Sequence, residues 1–425
     1  MEILIDSSET TGRIIAPSSK SQTHRAMICA LLSEGRSVLE RPLVSDDTMA
    51  TLRACEQFGA EVSARKEVVE ITGDERPSPP DMPLDCGESA STLRMMMTLA
   101  ALCDGRSVFT GKESLLMRPV AELIRAMGQL GISSRYLGKE GFPPVEVEGG
   151  GIIGGIVSIR GDISSQYISS ILFASPRSRH GVNMSVNGRF ESMPYVQMTV
   201  DTMERFGVKV ESRADMRAIN VRGGQKYAPT SLTVEGDYSS AAFAMASGCI
   251  NGEVTVQNLD PGTKQGDKAI IGLLQAMGAE MSIVGDSVTT CRSDLKAIEL
   301  DCAQIPDLVP ILAVLCTQAG GISTLKNLGR LRIKESDRVD SISRELAKMG
   351  ANIRVHGDSM EIKGKTPLNG TVLDPHNDHR IAMSLVVAAI SAKGESAMKG
   401  TKCISKSYPS FLDDMKMLGA AIDVV

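Results

Sequence analysis

The sequence predicts an α/β fold with two domains, each built from three repeated units of helix and short strands. Two observations support this prediction. The chain has 425 residues, too many for one small core, so two or three domains are expected. In addition, a short pattern recurs six times at nearly constant spacing: a large apolar residue, then Gly, then Ala, Val or Ile.

This recurring pattern is typical of the C-terminal end of a helix. An apolar helical stripe precedes each copy, as in Ile270, Leu273, Leu274 and Met277, which fit the spacing i, i+3, i+4, i+7. Gly is well suited to stop a helix, and strand-like segments such as 61–64 follow it. The six glycines lie 72, 76, 71, 72 and 69 residues apart, and they are Gly59, Gly131, Gly207, Gly278, Gly350 and Gly419.

A second shared element, a small-residue turn leading into a strand, begins the units at residues 34–39, 104–109, 251–256 and 320–325. Units of about 70 residues are too small to bury their own sheets and longer than usual solenoid repeats, so two clusters of three units are expected. The Gly- and Pro-bearing segments 12–18 and 223–230 are the expected crossovers. They predict an N-terminal domain of residues 17–230 and a discontinuous C-terminal domain of residues 1–16 plus 231–425.

The composition excludes several classes of partner. The net charge is −5, from 46 basic and 51 acidic residues, and aromatic residues make up only 3% with no Trp. We therefore expect neither nucleic acid nor a membrane as a partner. The nine cysteines form no CxxC pair and no metal-ligand spacing, and no apolar run reaches the length of a membrane span. These features predict a cytoplasmic protein with reduced thiols and no metal.

The densest run of charge is the segment 332–338, Arg-Ile-Lys-Glu-Ser-Asp-Arg, in which cations and acids alternate. An apolar helical stripe follows it, so Ser336 or Asp337 is expected to cap a helix whose positive end holds the cluster. Such a site binds an anion well and keeps Glu335 close to permanent cations. Taken alone, the segment is better explained as a solvated helix start.

Similar polar clusters stand elsewhere where strands or turns meet helix starts. Each one alone is most simply a helix cap or a surface charge. Together they provide fixed cations and helix N-termini, which suit a small substrate bearing several phosphates and carboxylates. Asp307 and Glu335 are the candidates for proton transfer among these cations. The cations are Lys20, Arg25, Arg118, Lys334, Arg338, Arg380 and Lys406.

The order and spacing of these motifs closely resemble those of the EPSP synthases, the 3-phosphoshikimate 1-carboxyvinyltransferases, over essentially the whole chain. The matching motifs are Pro17-Ser18-Ser19-Lys20-Ser21 with Arg25, the turn 87–94, Ser164-Ser165-Gln166, Ile305-Pro306-Asp307, the segment 334–338, and Asp378-His379-Arg380.

The resemblance implies a monomer of two inside-out α/β domains with the active site in the cleft between them, and no cofactor. It implies transfer of the enolpyruvyl group of phosphoenolpyruvate to the 5-hydroxyl of shikimate-3-phosphate through a tetrahedral intermediate, with release of phosphate. This reaction belongs to the shikimate pathway, which leads through chorismate to the aromatic amino acids.

The resemblance also implies a role for each motif residue. Asp307 would deprotonate the 5-hydroxyl, Glu335 would protonate the methylene carbon, and Lys20 would assist. The residues implied for shikimate-3-phosphate are Lys20, Ser21, Arg25, Ser164, Ser165, Gln166, Ser192, Asp307 and Lys334. Those implied for phosphoenolpyruvate are Lys20, Ala90, Arg118, Gln166, Arg338, Arg380 and Lys406.

The chain departs from the family pattern at three positions. Ala90 stands where Gly is common beside the phosphoenolpyruvate site, and Glu88 stands where Asn is common. We expect the extra methyl group of Ala90 to narrow the pocket and to lower the sensitivity to glyphosate, an inhibitor of this family that competes for that site. Arg330 replaces an Asn that contacts shikimate in some members, and we assign it no role.

Two other functions compete with this interpretation. The UDP-N-acetylglucosamine enolpyruvyl transferases have the same architecture and the same donor. They usually carry a loop Cys or Asp before the Arg-Pro that corresponds to Arg118-Pro119, and residues 110–117 of this chain contain neither. A non-catalytic anion- or RNA-binding protein is disfavoured by the acidic composition. Carboxylates such as Asp307 and Glu335 among the cations would weaken anion binding.

Overall fold

The computed structural model describes residues 1–65 and 67–425, and the chain divides into two compact units. Unit 1 comprises Met1–Pro17 and Glu235–Val425, and unit 2 comprises Ser18–Val234. The crossovers thus follow residues 17 and 234, whereas the sequence predicts them after residues 16 and 230. The second difference has a physical reason, because strand Ser231–Thr233 pairs in parallel with strand Gly35–Glu40 of unit 2.

The described residues form 24 strands. In the first half of the chain they are β1 (Glu2–Ile5), β2 (Thr10–Ile15), β3 (Gly35–Glu40), β4 (Glu61–Arg65), β5 (Val68–Gly73), β6 (Leu84–Asp85), β7 (Arg106–Thr110), β8 (Ser134–Tyr136), β9 (Val145–Glu148), β10 (Gly155–Arg160), β11 (Val182–Asn187) and β12 (Val210–Ser212). In the second half they are β13 (Ala218–Val221), β14 (Ser231–Thr233), β15 (Gly252–Gln257), β16 (Glu280–Val284), β17 (Ser287–Cys291), β18 (Glu299–Asp301), β19 (Gly321–Lys326), β20 (Asn352–His356), β21 (Ser359–Gly364), β22 (Val372–Leu373), β23 (Ser396–Lys399) and β24 (Ile422–Val424).

The same residues form 13 α-helices and five short 3-10 helices. The α-helices are α1 (Lys20–Leu31), α2 (Asp46–Gln57), α3 (Ala90–Met97), α4 (Glu113–Leu116), α5 (Ala121–Gln129), α6 (Ser165–Ala174), α7 (Met193–Arg205), α8 (Tyr238–Asn251), α9 (Ile270–Ala276), α10 (Val309–Gln318), α11 (Arg338–Lys348), α12 (His379–Ile390) and α13 (Phe411–Met417). The 3-10 helices are Thr98–Leu102, Ser175–Arg177, Gly266–Ala269, Gly329–Ile333 and Thr401–Lys406.

The sixfold repeat of the sequence is also a sixfold repeat of the sheets. Among the described residues, each unit has three four-stranded sheets. In unit 2 their orders are β14-β3-β5-β4, β6-β7-β9-β8 and β10-β11-β13-β12. In unit 1 they are β22-β23-β1-β24, β2-β15-β17-β16 and β18-β19-β21-β20. In every sheet the first two strands are parallel and the other neighbours antiparallel.

The repeated glycine ends a helix in all six units, as its sequence pattern predicts. The residue before it is the C-cap of α2, α5, α7, α9, α11 or α13. All six glycines have φ between 80° and 97°, in the left-handed region that favours Gly. This geometry turns the chain from the helix into β4, β8, β12, β16, β20 or β24, each of which is the last strand of its sheet.

The helices, not the sheets, occupy the centre of each unit. Every residue of α12 is buried, as are nine of the ten residues of α6 and nine of the ten of α10. A helix that is buried on nearly all sides is a core helix. Around these helices, strands such as β11 alternate buried and exposed residues. The fold is therefore the inside-out α/β arrangement. Among the described residues, no helix is both long and apolar enough to cross a membrane.

Candidate active site

Four helices of unit 2 begin at motifs that are rich in serine. The side chains of Ser19, Ser89 and Ser164 cap α1, α3 and α6 by accepting backbone N–H groups at 3.4, 3.2 and 3.3 Å. The fourth helix, α7, begins after Ser192, whose φ of 55° lies in the left-handed region. Helix N-termini carry partial positive charge, so they favour anions. The predicted residues in these first turns are Lys20, Ser21, Ala90, Ser165 and Gln166.

The ammonium group of Lys20 is held by Asp47, a residue that the sequence did not single out. Nζ of Lys20 lies 2.9 Å from Oδ2 of Asp47, and the two side chains are 14% and 11% exposed. Asp47 belongs to the first turn of α2, where its carboxylate also complements the helix dipole. The pair fixes the direction of the lysine side chain and leaves it partly accessible to a ligand.

Arg25 is almost completely buried, with only 1% of its surface exposed. Its guanidinium donates to Thr199 Oγ1 at 2.9 Å and to the carbonyl oxygens of Ser21 and Tyr195 at 2.8 Å each. These bonds use three of its five N–H donors. Burial lowers the pKa of Arg25 to about 10, so it remains a cation at neutral pH.

Gln166 is the centre of a network that joins three elements of unit 2. Its Nε2 donates to Ser91 Oγ at 2.9 Å, and its Oε1 accepts from Arg94 Nη1 at 3.1 Å. Arg94 also donates to the carbonyl of Pro119 at 3.2 Å. Buried Arg118 is the neighbour of that proline. The sequence marks the turn 87–94 as a motif but assigns Arg94 no role; the structure gives it one, because it links α3, α6 and residues 118–119.

In unit 1, one buried arginine gathers three carboxylates. The Arg338 guanidinium lies 2.7 Å from Asp378 through Nε, 2.7 Å from Asp307 through Nη1 and 2.7 Å from Glu335 through Nη2. Its side chain is 1% exposed. Burial alone would lower the pKa of Arg338, but the carboxylates of Asp378, Glu335 and Asp307 outweigh burial and raise it. Arg338 is therefore a fixed positive centre.

Asp307 is surrounded by cations. Lys334 Nζ lies 3.5 Å from its Oδ1, and Arg380 Nη2 lies 3.4 Å from its Oδ2. Burial raises the pKa of Asp307, but Arg380, Lys334 and Arg338 outweigh burial and hold that pKa well below its usual range. In this state Asp307 is a carboxylate and a weak base.

Burial has the larger effect on Lys334, because it lowers the pKa of that ammonium to about 8. Asp307 favours the charged form, whereas Arg338 and Arg330 disfavour it. Lys334 is thus a cation at neutral pH that loses its proton in mildly alkaline solution.

The charged segment 332–338 is only partly at a helix start. Asp337 is the cap of α11, accepting from the backbone N–H groups of Val339 and Asp340 at 3.1 and 3.0 Å, so one of the two predicted caps is confirmed. Lys334 and Glu335 lie before the helix, after the 3-10 helix Gly329–Ile333. The predicted apolar stripe of Val339, Ile342, Leu346 and Met349 is entirely buried.

Two further acids of unit 1, neither predicted as a site residue, complete the surroundings. Asp378 caps α12 and accepts from the backbone of Arg380 at 2.9 Å and from Ser336 Oγ at 3.2 Å. Asp267 is buried and accepts a hydrogen bond from Ser239. Burial, with a further contribution from Asp307, raises the pKa of Asp267 to about 7. The sequence signal for Asp378 is its place as a helix cap beside Arg380.

Lys406 is the last of the predicted cations in unit 1. It ends the 3-10 helix Thr401–Lys406 and is buried. Its Nζ donates to the carbonyl oxygen of Asn377 at 2.8 Å. The structure thereby brings Asp307, Lys334, Glu335, Arg338 and Arg380 into one cluster, and it connects Lys406 to that cluster through residues 377–378.

The chain is similar to proteins of one family throughout its length. The family model described as EPSP synthase (3-phosphoshikimate 1-carboxyvinyltransferase) matches residues 5–415. A 3-phosphoshikimate 1-carboxyvinyltransferase of Methanococcus maripaludis strain C5 is 38% identical over 419 residues, 97% of each chain. One of Methanocaldococcus jannaschii is 38% identical over 418 residues, again 97% of each chain.

Solved structures show the same fold. An EPSP synthase from Acinetobacter baumannii superposes with a TM-score of 0.84 at 26% identity, covering 100% of this chain and 99% of that one. The enolpyruvyl transferase NikO from Streptomyces tendae superposes with a TM-score of 0.83 at 16% identity, covering 99% and 98%. At that low identity the second similarity concerns the fold alone.

Proposed function

The chain belongs to the EPSP synthase (3-phosphoshikimate 1-carboxyvinyltransferase) family, and from this premise we propose how its own residues carry out the reaction. The enzyme transfers the enolpyruvyl group of phosphoenolpyruvate to the 5-hydroxyl of shikimate-3-phosphate and releases phosphate, a step of aromatic amino-acid biosynthesis. The family match over residues 5–415 is the observation that carries this function. The roles of single residues rest on the two clusters described above.

The first proposed step is binding of the phosphoenolpyruvate carboxylate by Arg338 and Arg380. Without ligand, Arg338 is paired with Asp307 and Glu335 at 2.7 Å each. An incoming carboxylate competes for the same guanidinium, so these two acids lose part of the positive charge that stabilises their ionised forms. The pKa of Asp307 then rises, which makes it a better base, and Glu335 is released from part of its pairing with Arg338 to carry a proton.

In the chemical step, Asp307 takes the proton of the 5-hydroxyl while the oxygen bonds to C2 of phosphoenolpyruvate. Glu335 delivers a proton to the methylene carbon, which becomes a methyl group. The resulting tetrahedral intermediate then loses phosphate by cleavage of the bond between C2 and the phosphate oxygen, and the departing phosphate takes up the proton held by Asp307. The methyl group returns a proton to Glu335, which restores the methylene group and both acids. Lys20, Arg118, Gln166 and Lys406 bind the departing phosphate, because fixed cations and donors stabilise the charge that develops on it.

Shikimate-3-phosphate binds mainly to unit 2. Its phosphate accepts hydrogen bonds from Ser164, Ser165 and Ser192, and Gln166 adds a donor from the first turn of α6. The helix N-termini there favour a dianion. Ser21 and Arg25 bind the carboxylate, the latter through the two N–H donors that its protein contacts leave over. Lys20 and Lys334 provide further positive charge near the phosphate and hydroxyl groups.

The decisive test is phosphate release by the purified protein with shikimate-3-phosphate and phosphoenolpyruvate, compared with Glu335→Ala. We expect release that needs both substrates and that falls by at least about a hundredfold in the variant, as is common when a proton-transfer group is removed. Release with UDP-N-acetylglucosamine as the acceptor would instead support the rival transferase. No release with either acceptor by a folded protein would leave only an anion-binding function.

We further propose that the protein acts as a monomer in the cytoplasm. The nine cysteines are free thiols, and eight of them are buried, as is common in proteins of a reducing compartment. Burial raises the pKa of those such as Cys55 and Cys86, which keeps them unreactive. The native mass in solution tests the monomer, and a mass of two chains would contradict it.

A further inference from the structure

The carboxylate of Glu345 is completely buried, and the mechanism above does not use it. It lies on α11 seven residues after Arg338, that is, two turns further along the helix. Its side chain is 0% exposed. It accepts from Lys348 Nζ at 2.7 Å, from the backbone N–H of Asp374 at 3.0 Å and from His376 Nε2 at 3.0 Å. Burying a carboxylate is costly unless it is paired and hydrogen-bonded, and these three partners meet that requirement.

Two of the three partners belong to one loop, residues 374–378, between β22 and α12. Within it, the backbone N–H of His376 donates to Asp374 Oδ1 at 2.7 Å. His376 and Asn377 both have φ near 50°, a conformation that side-chain-bearing residues rarely adopt. Two consecutive residues of this kind persist only where the surroundings hold them. Glu345 stabilises this loop conformation, because it accepts hydrogen bonds both from the backbone of Asp374 and from the side chain of His376.

The loop in turn reaches two groups of the site. The carbonyl oxygen of Asn377, the residue after His376, accepts from Lys406 Nζ at 2.8 Å. The next residue, Asp378, accepts from Arg338 Nε at 2.7 Å. The left-handed turn at residues 376–377 therefore determines where this carbonyl and this carboxylate stand. The five residues 374–378 therefore connect Glu345 to both Lys406 and Arg338.

We propose that Glu345 and His376 are positioning residues for phosphoenolpyruvate binding. By fixing the loop 374–378, they aim Lys406 and hold Asp378 behind Arg338. This inference rests on the proposed function, since it takes Lys406 and Arg338 as the groups that bind phosphoenolpyruvate. His376 is the better residue to vary, because its side chain is 20% exposed and is not part of the core.

The test compares His376→Leu, His376→Gln and the control His356→Leu. Leu removes the donor to Glu345, whereas the amide Nε2 of Gln restores a donor at a similar distance from the backbone. His356 is a 61% exposed strand residue of the same unit, so its replacement controls for loss of a histidine. We expect His376→Leu to raise KM for phosphoenolpyruvate about tenfold while KM for shikimate-3-phosphate and kcat change less than about twofold. We expect Gln to restore most of the affinity and the control to behave as the wild type.

Calorimetric titration with phosphoenolpyruvate, in the presence of shikimate-3-phosphate, separates this inference from the proposed function. A wild type that releases phosphate, with a His376→Leu variant that binds phosphoenolpyruvate equally well, would overturn the positioning role alone. The positioning role would also be overturned if His376→Leu lowered kcat and raised both KM values by similar factors, with a lower Tm and no recovery in His376→Gln. A wild type that neither releases phosphate nor binds phosphoenolpyruvate would refute both.

Discussion

At the scale of single residues, the site of unit 1 is governed by the balance of charge around Arg338. Three carboxylates surround one guanidinium, and Lys334 and Arg380 add two more cations next to Asp307. Such a cluster is stable only while every member keeps its partners, because removing one leaves another charge buried and unpaired. In the proposed mechanism an anionic substrate would rearrange these partnerships, and this would make Asp307 and Glu335 responsive to binding.

Lys334 provides a pH-dependent prediction. Its pKa in the folded protein is about 8, below the usual 10.5, so above pH 8 the folded protein loses a positive charge that the unfolded chain retains. Between pH 8 and 10.5 the unfolded chain binds more protons, so this group's contribution to the free energy of unfolding rises with pH. The affinity for shikimate-3-phosphate should change in the opposite direction, because Lys334 is proposed to bind that substrate as a cation. We expect KM for shikimate-3-phosphate to rise above pH 8.

The pH dependence is tested by measuring KM for shikimate-3-phosphate from pH 6.5 to 9.5 in the wild type and in Lys334→Arg. Arginine remains charged over this range, so the rise above pH 8 should be flattened in the variant even if its absolute affinity is lower. A variant whose KM rises with the same slope as the wild type would show that another group titrates.

Ala90 provides a prediction on inhibitor sensitivity. It is buried and is the first residue of α3, directly after the cap Ser89 and before Ser91, which is bound to Gln166. A single methyl group in a close-fitting pocket changes affinity by about 10- to 200-fold. We therefore expect Ala90→Gly to lower the glyphosate concentration for half-inhibition by about tenfold or more.

The matched control for Ala90 is Ala126→Gly, another buried alanine in a helix of unit 2. It introduces the same helix-weakening residue away from the substrate motifs, so the glyphosate curve should stay that of the wild type. If Ala90→Gly and the wild type give superimposable inhibition curves, the methyl group of Ala90 does not narrow the pocket.

The residues that sequence reasoning missed share one physical property. Lys20, Asp307 and Glu335 stand in motifs that can be recognised in a short window. The acids that pair with the cations of these motifs lie far along the chain, because Asp47 is 27 residues from Lys20 and Asp378 is 40 residues from Arg338, so only the folded chain brings them together. A helix cap such as Asp378 looks like any other cap until its contacts are known. The sequence therefore proposes the reacting groups but does not reveal Asp47 and Asp378, which pair with Lys20 and Arg338.

At the scale of elements, the glycine pattern is the most informative part of the sequence. It predicts the end of six helices, because only a residue without a side chain adopts the required left-handed φ without strain. Helix starts are harder to locate. Pro119 is of a type suited to the first position of a helix, but α5 begins at Ala121, and the carbonyl oxygen of Pro119 instead accepts a hydrogen bond from Arg94. That contact comes from a distant part of the chain and is invisible in the local pattern.

The helix-end geometry is tested by two glycines at the same helix, α9. Gly278 follows it with φ of 80°, whereas Gly272 lies inside it, and a Cβ atom added at Gly272 would meet no atom within 4 Å. We expect Gly278→Ala to lower the free energy of unfolding by about 1–2 kcal/mol, the cost of a left-handed residue with a side chain. Gly272→Ala should raise it by about 0.4–1 kcal/mol, since the unfolded chain becomes less flexible. Urea unfolding measures both, and a stabilising Gly278→Ala would refute the left-handed assignment.

At the scale of the whole molecule, the N-terminal strand pairs with strands from the C-terminal end of the chain. Strand β1 lies between β23 and β24, so Glu2–Ile5 pair with residues near 396–399 and 422–424. The sequence predicts that the N-terminal strand completes the C-terminal domain, but it gives no register. Residues 231–234, predicted for the C-terminal domain, lie in unit 2. Pairings such as β14 with β3, about 190 residues apart, depend on the packing of the whole unit.

The central place of β1 leads to a prediction on unit 1. Ile3 is completely buried between the two C-terminal strands, so Ile3→Ala leaves a cavity and should lower the free energy of unfolding of unit 1 by about 2–5 kcal/mol. Ile283 of β16 is 48% exposed, and Ile283→Ala should change it by less than about 0.5 kcal/mol.

Hydrogen exchange read separately for each unit measures both variants. Because the two units have separate cores, the faster exchange in Ile3→Ala should be confined to residues 1–17 and 235–425. Equal acceleration in residues 18–234 would mean that the units unfold as one, and no acceleration would mean that β1 is not an essential strand of its sheet.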